Sequence, residues 1–394
     1  MKKILFLTPQ LPFPPQSGGT IKSWKLIEFL TKNYDTGLAC FLKNNDSTYL
    51  SEFSDKIHLN KIHSESLSIP RNITSLLKSY IYNIPLSVYR NYSKDFYKEI
   101  VEVIHKYEVV IVDHFLMFQY IPKSYKGKVI LHEHNAEYIM WRKAALNEKN
   151  SLKKIILFLE SIRIKKYEKL ICNRADFILA APNDIENLSR LNIQKNKFSQ
   201  TLHLGDEKLL EQSYINFKNT ENSLLYIGTL SWEANIDGLL WFLQHCWKQL
   251  QSVNEDLKLY IVGSNPPEKL QRLIADLSGI ILTGFVKDLD EYYNKSRVFI
   301  SPLRFGSGIK VKNINAMYRG IPLVTTSVGV ESIDGRDMIH FSIANNPKDF
   351  ISKINILLTD EEQWTLQQKE SRMLMKKKYT WEIVLNDFRK VIDE

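Results

Sequence analysis

Residues 297–326 have the sequence RVFISPLRFGSGIKVKNINAMYRGIPLVTT, which shows the alternation on which the fold prediction rests. An apolar run at 297–302 precedes a glycine-containing loop, a helical pattern at 311–318 and a second apolar run at 321–325. Runs that are apolar at successive positions are typical of parallel strands covered by helices on both faces. The stretch therefore predicts a strand–loop–helix–strand unit of an α/β domain.

The same alternation extends outward over the whole chain. Ten short apolar runs predict parallel strands, with helical patterns between them; they lie at 3–8, 37–41, 109–112, 128–132, 177–180, 223–227, 258–262, 279–283, 297–302 and 321–325. This pattern predicts an α/β fold made of two Rossmann-like, doubly wound domains with about five strands each.

A polar stretch at 206–222 separates the two halves and lacks strand character. We therefore expect an N-terminal domain over 1–205 and a C-terminal domain over 222–378. A last helix is predicted at 379–394, because its apolar residues recur at helical spacing.

The amino-acid composition is that of an ordinary globular protein. The chain has 394 residues, 44% of them hydrophobic and 25% charged, which excludes a disordered chain or a disulfide scaffold. Its net charge of +9 suits an anionic ligand or an acidic membrane surface, and by itself does not indicate nucleic acid. Three widely separated cysteines, Cys40, Cys172 and Cys246, favour a reducing cytosol over a structural zinc site.

The N-terminus imitates a signal peptide but its apolar run is short. After Lys2 and Lys3 the run covers only residues 4–7 before Thr8 and Pro9, whereas a secretory core needs about 7–15 apolar residues. We expect a buried first strand and a cytoplasmic protein, without a membrane-spanning segment of about 20 apolar residues.

Two loops have the residues that bind phosphate groups. Gly18 and Gly19 lie where the first strand leads into a helix, so they predict either an anion site at the helix N-terminus or a tight turn. In the second half, Gly308, Ile309 and Lys310 precede the helix at 311–318. Backbone amides, a helix N-terminus and an ammonium group at one place suit a diphosphate.

The segment LHEHNAEY at 131–138 ends a strand and enters a helix, at the edge where doubly wound folds bind ligands. His132 and His134 lie on one side of an extended chain. They are candidates for hydrogen bonding at a ligand site, for metal binding with Asp113 or His114, or for a purely structural role.

Two further motifs have alternative interpretations. Asp288 and Asp290 imitate a metal-binding pair but are more typical of a helix cap. The basic and apolar stretch at 153–169 predicts either a helix that lies on a membrane surface or one with a solvated basic face.

Three motifs together resemble the family 4 retaining glycosyltransferases of the two-Rossmann-domain (GT-B) type. They are GTLSWEAN at 228–235, GFVKDL at 284–289 and PLRFGSGIKVKNINAM at 302–317. The resemblance covers nearly the whole chain, and it is looser over residues 40–105. It implies two domains that face a central cleft, with the helix at 379–394 completing the first domain.

The resemblance also implies roles for individual residues. His134 would face the transferred sugar and Lys310 would lie beside the donor diphosphate, so both are candidate catalytic residues. The other implied donor-binding residues are Gly18, Gly19, Gly228, Thr229, Asn235, Gly284, Val286, Gly308, Ile309 and Asn315.

This chain departs from the family pattern at four positions. Ser307 and Asn315 stand where many relatives have two glutamates, the second of which would bind the ribose. Thr229 and Ala234 replace an Arg and a Lys near the diphosphate. Lys310 would therefore carry most of the phosphate charge, and Asn315 would bind the ribose more weakly than a carboxylate does.

The function that the resemblance implies is transfer of a sugar, with retention, from a nucleotide diphosphate donor to a glycan or lipid-linked acceptor. A UDP-sugar is favoured over a GDP-sugar, and no metal, cofactor or nucleic acid is expected. Peripheral contact with an anionic membrane is a further expectation. The alternatives are a non-catalytic nucleotide-sugar-binding subunit and a sugar-nucleotide epimerase.

Overall fold

The computed structural model describes residues 1–15, 18–43, 46–67, 73–148, 150–306 and 308–394. The chain divides into two compact units. The first comprises Met1–Leu202 with Val384–Glu394, and the second comprises His203–Ile383. Ser307, at which the family pattern has its first glutamate, lies outside the described residues.

The first unit is built on a parallel sheet of seven strands in the order β3-β2-β1-β4-β5-β6-β7. The strands are β1 (Lys3–Thr8), β2 (Asp35–Leu42), β3 (Lys61–Ser66), β4 (Val109–Asp113), β5 (Lys128–His132), β6 (Phe177–Ala180) and β7 (Phe198–Gln200). The helices are α1 (Gly18–Asn33), α2 (Asp46–Lys56), α3 (Ile73–Ile81), α4 (Leu86–Arg90), α5 (Lys94–Val103), α6 (Glu137–Asn147), α7 (Ser151–Arg174) and α8 (Pro182–Ser189).

The second unit has a parallel sheet of six strands in the order β10-β9-β8-β11-β12-β13. The strands are β8 (Glu221–Ile227), β9 (Lys258–Val262), β10 (Ile280–Gly284), β11 (Ser296–Ser301), β12 (Leu323–Thr325) and β13 (Ser342–Ile343). The helices are α9 (Glu233–Phe242), α10 (Lys248–Val253), α11 (Glu268–Ala275), α12 (Asp290–Lys295), α13 (Val311–Arg319), α14 (Pro347–Thr359), α15 (Glu361–Lys378) and α16 (Trp381–Asp393), the last of which enters the first unit at Val384.

The prediction of about five strands in each domain is wrong, since the described residues form seven and six. The three additional strands, β3, β7 and β13, are edge strands of their sheets. The sequence of β3 is KIHSES and that of β7 is FSQ, so neither contains an apolar run. Pairing with a neighbouring strand, rather than burial on both faces, makes these segments extended.

Strand order creates a crevice in each sheet. In the first unit β1 lies between β2 and β4, and in the second β8 lies between β9 and β11. The connections from β1 and β4, and likewise from β8 and β11, therefore leave in opposite directions, and the loops at the carboxyl ends of these strands border a crevice. The candidate residues of both units lie on these loops or on the neighbouring ones.

The end of α16 is fixed by lysines of the first unit. Lys2 Nζ donates to the carbonyl oxygen of Ile392 at 2.9 Å, and Lys128 Nζ donates to that of Val391 at 3.2 Å. Cations at a helix C-terminus satisfy its last carbonyl groups and complement its dipole. The ring of Phe388 also packs on His132, with 6.2 Å between ring centroids.

Candidate functional site

Asp113 is the centre of a buried polar cluster in the first unit. It ends β4, is 0% exposed, and accepts hydrogen bonds on both carboxylate oxygens. Oδ1 accepts from His132 Nδ1 at 2.7 Å and from His134 Nε2 at 2.8 Å. Oδ2 accepts from Thr8 Oγ1 at 3.0 Å and from Ser23 Oγ. The carboxylate thus joins the ends of β1, β4 and β5 to α1.

These bonds orient His134 toward the start of α1. Because Nε2 donates to Asp113, Nδ1 is the nitrogen left on the other side of the ring. A Cβ placed on Gly19 would lie 3.4 Å from His134 Nδ1, so the imidazole lies beside the first turn of α1. The structure therefore brings together Gly19 and His134, two of the residues that the sequence singled out.

The titratable groups of this cluster have shifted pKa values. Burial raises the pKa of Asp113, but the charges and hydrogen bonds of His134 and His132 lower it by more than burial raises it. The pKa of Asp113 therefore lies well below its usual value. Burial, together with nearby Lys22, lowers the pKa of His132 to about 3. Burial also lowers the pKa of Lys22 to about 8, although Asp113 and Asp184 oppose the shift. At pH 7 the cluster thus holds a carboxylate, a neutral His132 and the Lys22 ammonium.

The backbone beside Asp113 is strained. His114 has a φ of 92°, in the region that favours glycine, and its ring lies 5.4 Å from that of His134. Its backbone N–H donates to the carbonyl oxygen of His132 at 2.9 Å. Strained non-glycine residues cluster at functional sites, where the surrounding contacts hold them in place.

The same cluster includes the residues that the sequence suggests as possible metal ligands. Asp113, His132 and His134 each offer a ligand atom, and these atoms lie within 4.8 Å of one another. The same atoms are joined by hydrogen bonds, and a cation would have to displace both N–H donors beside the positive charge of Lys22. The absence of a metal remains a prediction.

Asp288 makes a local turn just before α12, whose N-cap residue is Leu289. Its Oδ1 accepts from the backbone N–H of Asp290 at 3.0 Å, where α12 begins. The carboxylate of Asp290 in turn accepts from Gln212 Nε2 at 2.9 Å. Both groups therefore satisfy polar atoms of the fold, as a helix start requires.

Lys310 lies at the N-cap position of α13 in the second unit and is 5% exposed. Its Nζ donates to the carbonyl oxygen of Gly308 and lies 3.5 Å from Glu331 Oε2. Burial lowers the pKa of Lys310, while Glu331 opposes the shift. The first backbone N–H groups of α13 have no partner within the helix, so they and Lys310 concentrate positive potential at one point.

The loop before Lys310 depends on glycine. Gly308 has a φ of 69° and Gly306 a φ of 143°, values that side chains with a Cβ rarely adopt. A Cβ on Gly308 would meet no atom within 4 Å, so its backbone faces open space rather than the protein interior. This leaves the peptide groups beside Ile309 accessible to a ligand.

A second lysine reaches the neighbouring loop. Lys312 Nζ donates to Asn235 Oδ1 at 2.8 Å and to the hydroxyl of Tyr226 at 3.3 Å. Asn235 Nδ2 then donates to the carbonyl oxygen of Thr229 at 2.9 Å. A Cβ on Gly228 would lie 2.9 Å from Asn235 Nδ2, so only glycine allows this approach. Lys312 therefore holds the loop after β8 in place.

Asn315 and the loop after β10 are the remaining candidate positions for binding the nucleoside of the donor. Asn315 Oδ1 accepts from the backbone N–H of Asp206 at 2.8 Å, so its oxygen is engaged within the second unit. Gly284 ends β10 with a φ of 74°, and the exposed Phe285 and the half-buried Val286 follow it. The ribose role of Asn315 and the base role of Val286 stay predictions.

Residues 221–360 match the family described as Glycosyl transferases group 1. The match covers most of the second unit. The match spans β8 through α14, and so includes the loops of Gly228, Gly284 and Lys310. The recognition of the family is thereby confirmed at this level, while its assignment to family 4 stays a prediction.

Three similar proteins extend the comparison to the whole chain. A 44.6 kDa protein in the cps region of Klebsiella pneumoniae is 26% identical over 366 residues, 90% of each chain. The structure of Anabaena Alr3699/HepE in complex with UDP is 11% identical and matches 100% of both chains with a TM-score of 0.64. Sucrose-phosphate synthase from Thermosynechococcus elongatus is 14% identical and matches 100% of this chain and 98% of its own with a TM-score of 0.69. These likenesses confirm the predicted GT-B fold of two Rossmann-like units.

Sequence reasoning missed three charged residues, two in the second unit and one in the first. Lys312 stands two residues after Lys310 in the same motif, and this position was the available signal. The sequence suggests Asp113 only as a metal ligand, although it directly ends an apolar strand. Glu331 lies in a loop with no motif, and no sequence signal indicated it.

Lys312 offers a test that separates function from stability in this domain. Burial of its ammonium group, with a contribution from Lys310, lowers the pKa of Lys312 to about 7. The unfolded chain therefore binds more protons than the folded one between about pH 7 and pH 10.5, and stability rises with pH in this window. For Lys312→Met we expect a Tm advantage over wild type at pH 6 that shrinks as the pH rises.

The same variant is expected to weaken donor binding, raising the donor KM by about 10-fold, because the loop of Thr229 and Asn235 loses the hydrogen-bond donor that holds it. Thermal unfolding from pH 6 to pH 10 and steady-state kinetics measure the two effects. A purely structural Lys312 would give a Met variant that is less stable at every pH, with an unchanged KM.

Proposed function

We propose that this protein transfers a sugar from a nucleotide diphosphate donor, preferably a UDP-sugar, to a glycan or lipid-linked acceptor. The observation that carries the proposal is the convergence of Lys310, the N-terminus of α13 and the open backbone of Gly308 in a group 1 glycosyltransferase domain. A diphosphate fits this place because it presents oxygens with negative charge to fixed donors.

Departure of the diphosphate is the step that the second unit assists. Negative charge builds up on the leaving oxygens, and donors that are already in position stabilise it at little reorganisation cost. Before the donor arrives, Lys310 is held by Gly308 and Glu331. We propose that the diphosphate takes over this ammonium group, and that no metal ion is required.

The first unit supplies an oriented imidazole. The ionised Asp113 fixes the ring of His134 through Nε2, so that Nδ1 can accept or donate a hydrogen bond at the transferred sugar. We propose that this contact positions the sugar while the bond to the diphosphate breaks.

Retention would follow attack from the same face, with the leaving phosphate accepting the acceptor's proton. A mechanism with a carboxylate nucleophile would need a free carboxylate near the sugar. Asp113 is buried and accepts four hydrogen bonds, so we assign it the positioning of His134 and propose the same-face route.

The preference for UDP and the cell-surface setting rest on similar proteins. The Anabaena structure contains UDP, and the Klebsiella protein belongs to a cps region. We propose by analogy a UDP-sugar as donor and an acceptor in polysaccharide or glycoconjugate synthesis, used by a cytoplasmic enzyme at the inner face of the membrane.

The test is incubation of the purified chain with UDP-, GDP- and ADP-sugars, with EDTA and without it. We expect release of UDP, insensitive to EDTA, with faster release when an acceptor is present and an α-linked product from an α-linked donor. An epimerised donor without nucleotide release would identify an epimerase. Binding without turnover would identify a non-catalytic subunit, and inhibition by EDTA would favour a metal at Asp113, His132 and His134.

A further inference from the structure

The helix α7 is apolar on its exposed side as well as on its buried side. Its buried residues are three apolar ones, Ile164, Ile171 and Cys172, together with Ser161 and both of its carboxylates, Glu160 and Glu168. Its exposed surface carries large apolar side chains, with exposed fractions of 40–68% for Leu152, Ile155, Phe158, Leu159 and Ile162. A surface helix normally turns its apolar stripe to the core and its charges to water. This arrangement indicates that the outer face of α7 meets something other than water.

The helix α3 exposes a similar stripe. Ile73, Leu77 and Ile81, one helical turn apart, are exposed by 75%, 59% and 77%. Tyr80 lies on the same face and is 40% exposed, whereas the small polar Ser79 is buried. Apolar residues at i, i+4 and i+8 are the pattern of a buried helix face, yet here this face is the exposed one.

The two helices are fixed to each other by polar contacts. Arg163 of α7 donates to the carbonyl oxygens of Ser79 and Ile84, and its guanidinium lies 4.1 Å from the centroid of the Tyr80 ring. Glu160 pairs with Arg163 at 2.7 Å and accepts from the backbone N–H of Leu86. Because these charges are used to join α7 to α3 and α4, the apolar residues of both helices remain outside on one connected structure.

The charge of this exposed surface has one sign. Lys153, Lys154, Lys165, Lys166 and Lys169 of α7 are exposed, and so is Lys78 of α3. The residues of α3 and α7, which the structure describes in full, include no exposed carboxylate, since α3 has none and both of those in α7 are buried. Apolar side chains with lysines beside them complement a surface that is apolar below an anionic layer.

We propose that the outer face of α3 and α7 docks on an anionic lipid bilayer, with its apolar side chains entering the interface and its lysines at the headgroups. A second copy is the less suitable occupant, because a two-fold dimer would place this lysine-rich face against itself. Among the described residues no helix is both long enough and apolar enough to cross a membrane, so the contact we propose is one at the surface.

The inference deepens the proposed function, because it brings the enzyme to a lipid-linked acceptor. It also changes the expected dependence on salt. Attachment by lysines alone is screened as ionic strength rises, but inserted apolar side chains are not. We therefore expect binding that weakens in salt without being abolished.

The experiment is co-sedimentation of the full chain with vesicles of phosphatidylcholine alone or mixed with phosphatidylglycerol. We expect recovery with the anionic vesicles, and a partition coefficient about 10-fold lower for the double variant Ile155→Ser and Leu159→Ser. The matched control is Leu366→Ser with Met373→Ser, which removes two apolar residues of α15 that are each 43% exposed. This control should bind as wild type does.

Circular dichroism checks that both double variants are folded, and nucleotide release without vesicles is expected to be unchanged in them. Failure of the vesicle assay with normal nucleotide release would overturn the docking surface and leave the proposed function standing. Equal sedimentation of the Ile155 and Leu159 variant would also overturn it. Sedimentation equilibrium that shows a dimer, lost in the same variant, would identify a second copy as the occupant instead.

Discussion

Lys310→Ala is expected to lower turnover by about 10²-fold or more, as loss of a donor that stabilises transition-state charge does. The reason is the position of Nζ, beside the open backbone of Gly308 and the N-terminus of α13. Thr229 and Ala234 replace the basic pair of the family pattern, and the Lys312 ammonium near that loop is held by Asn235, so Lys310 is the main cation for the diphosphate. Steady-state kinetics with a UDP-sugar measure the effect on kcat and KM separately.

Two further variants serve as a control and as a charge-conserving comparison for Lys310→Ala. Lys348→Ala removes an exposed lysine of α14 in the same unit and should leave kcat unchanged. Lys310→Arg keeps the charge and should restore part of the activity, since a guanidinium also binds phosphate oxygens. A Lys310→Ala variant with normal kcat would show that the diphosphate does not meet this lysine.

Asp113→Asn is expected to lower kcat by a similar factor of about 10² through loss of the oriented His134, because positioning of a catalytic histidine depends on the group that fixes its other nitrogen. An amide offers one acceptor oxygen, whereas four donors now converge on the carboxylate. Its NH₂ group could donate to the hydroxyls of Thr8 and Ser23, which accept as well as donate, but the bond from His134 would then end on a neutral amide oxygen and lose its charge assistance.

A double-mutant cycle with His134→Ala tests this positioning role. If Asp113 acts through His134, the double variant should be little slower than either single one, which is grossly non-additive. Additive losses in kcat would show that the two residues act separately. Thr8→Val is the matched control, because it removes one bond to the same carboxylate without touching His134, and it should reduce stability by about 1 kcal/mol with kcat unchanged.

The low pKa of Asp113 adds a pH signature. A carboxyl group whose pKa is depressed by folding stabilises the native state above its unfolded pKa of about 4, and this contribution is lost as the pH falls below that value. The difference in Tm between wild type and Asp113→Asn should therefore be largest near pH 7 and shrink toward pH 3. A constant difference would show that the lost stability comes from packing alone.

Much of the candidate site could be found from local sequence. His134, Lys310, Gly308 and Gly228 stand in short motifs at the carboxyl ends of apolar strands, where the connection to the next helix puts them on a ligand-binding edge. What the motifs did not show is their partners. Glu331 follows Lys310 by 21 positions and belongs to no motif, so its proximity depends on how two loops fold.

The α/β class, most strand positions, the group 1 motifs and the main candidate residues can be predicted from the sequence, because each of these lies in a run of fewer than about 20 neighbouring residues. Strand order, and with it the additional edge strands β3, β7 and β13, is visible only in the folded chain. The fold also decides which distant residues meet, such as Asp113 with His134 and Lys312 with Asn235, which lie 21 and 77 positions apart. The exposure of apolar side chains on α7 also depends on the fold, since its basic and apolar sequence does not show which side faces the solvent. Such features depend on which elements pack together, and that is settled by burial and pairing over the whole unit rather than by any local pattern.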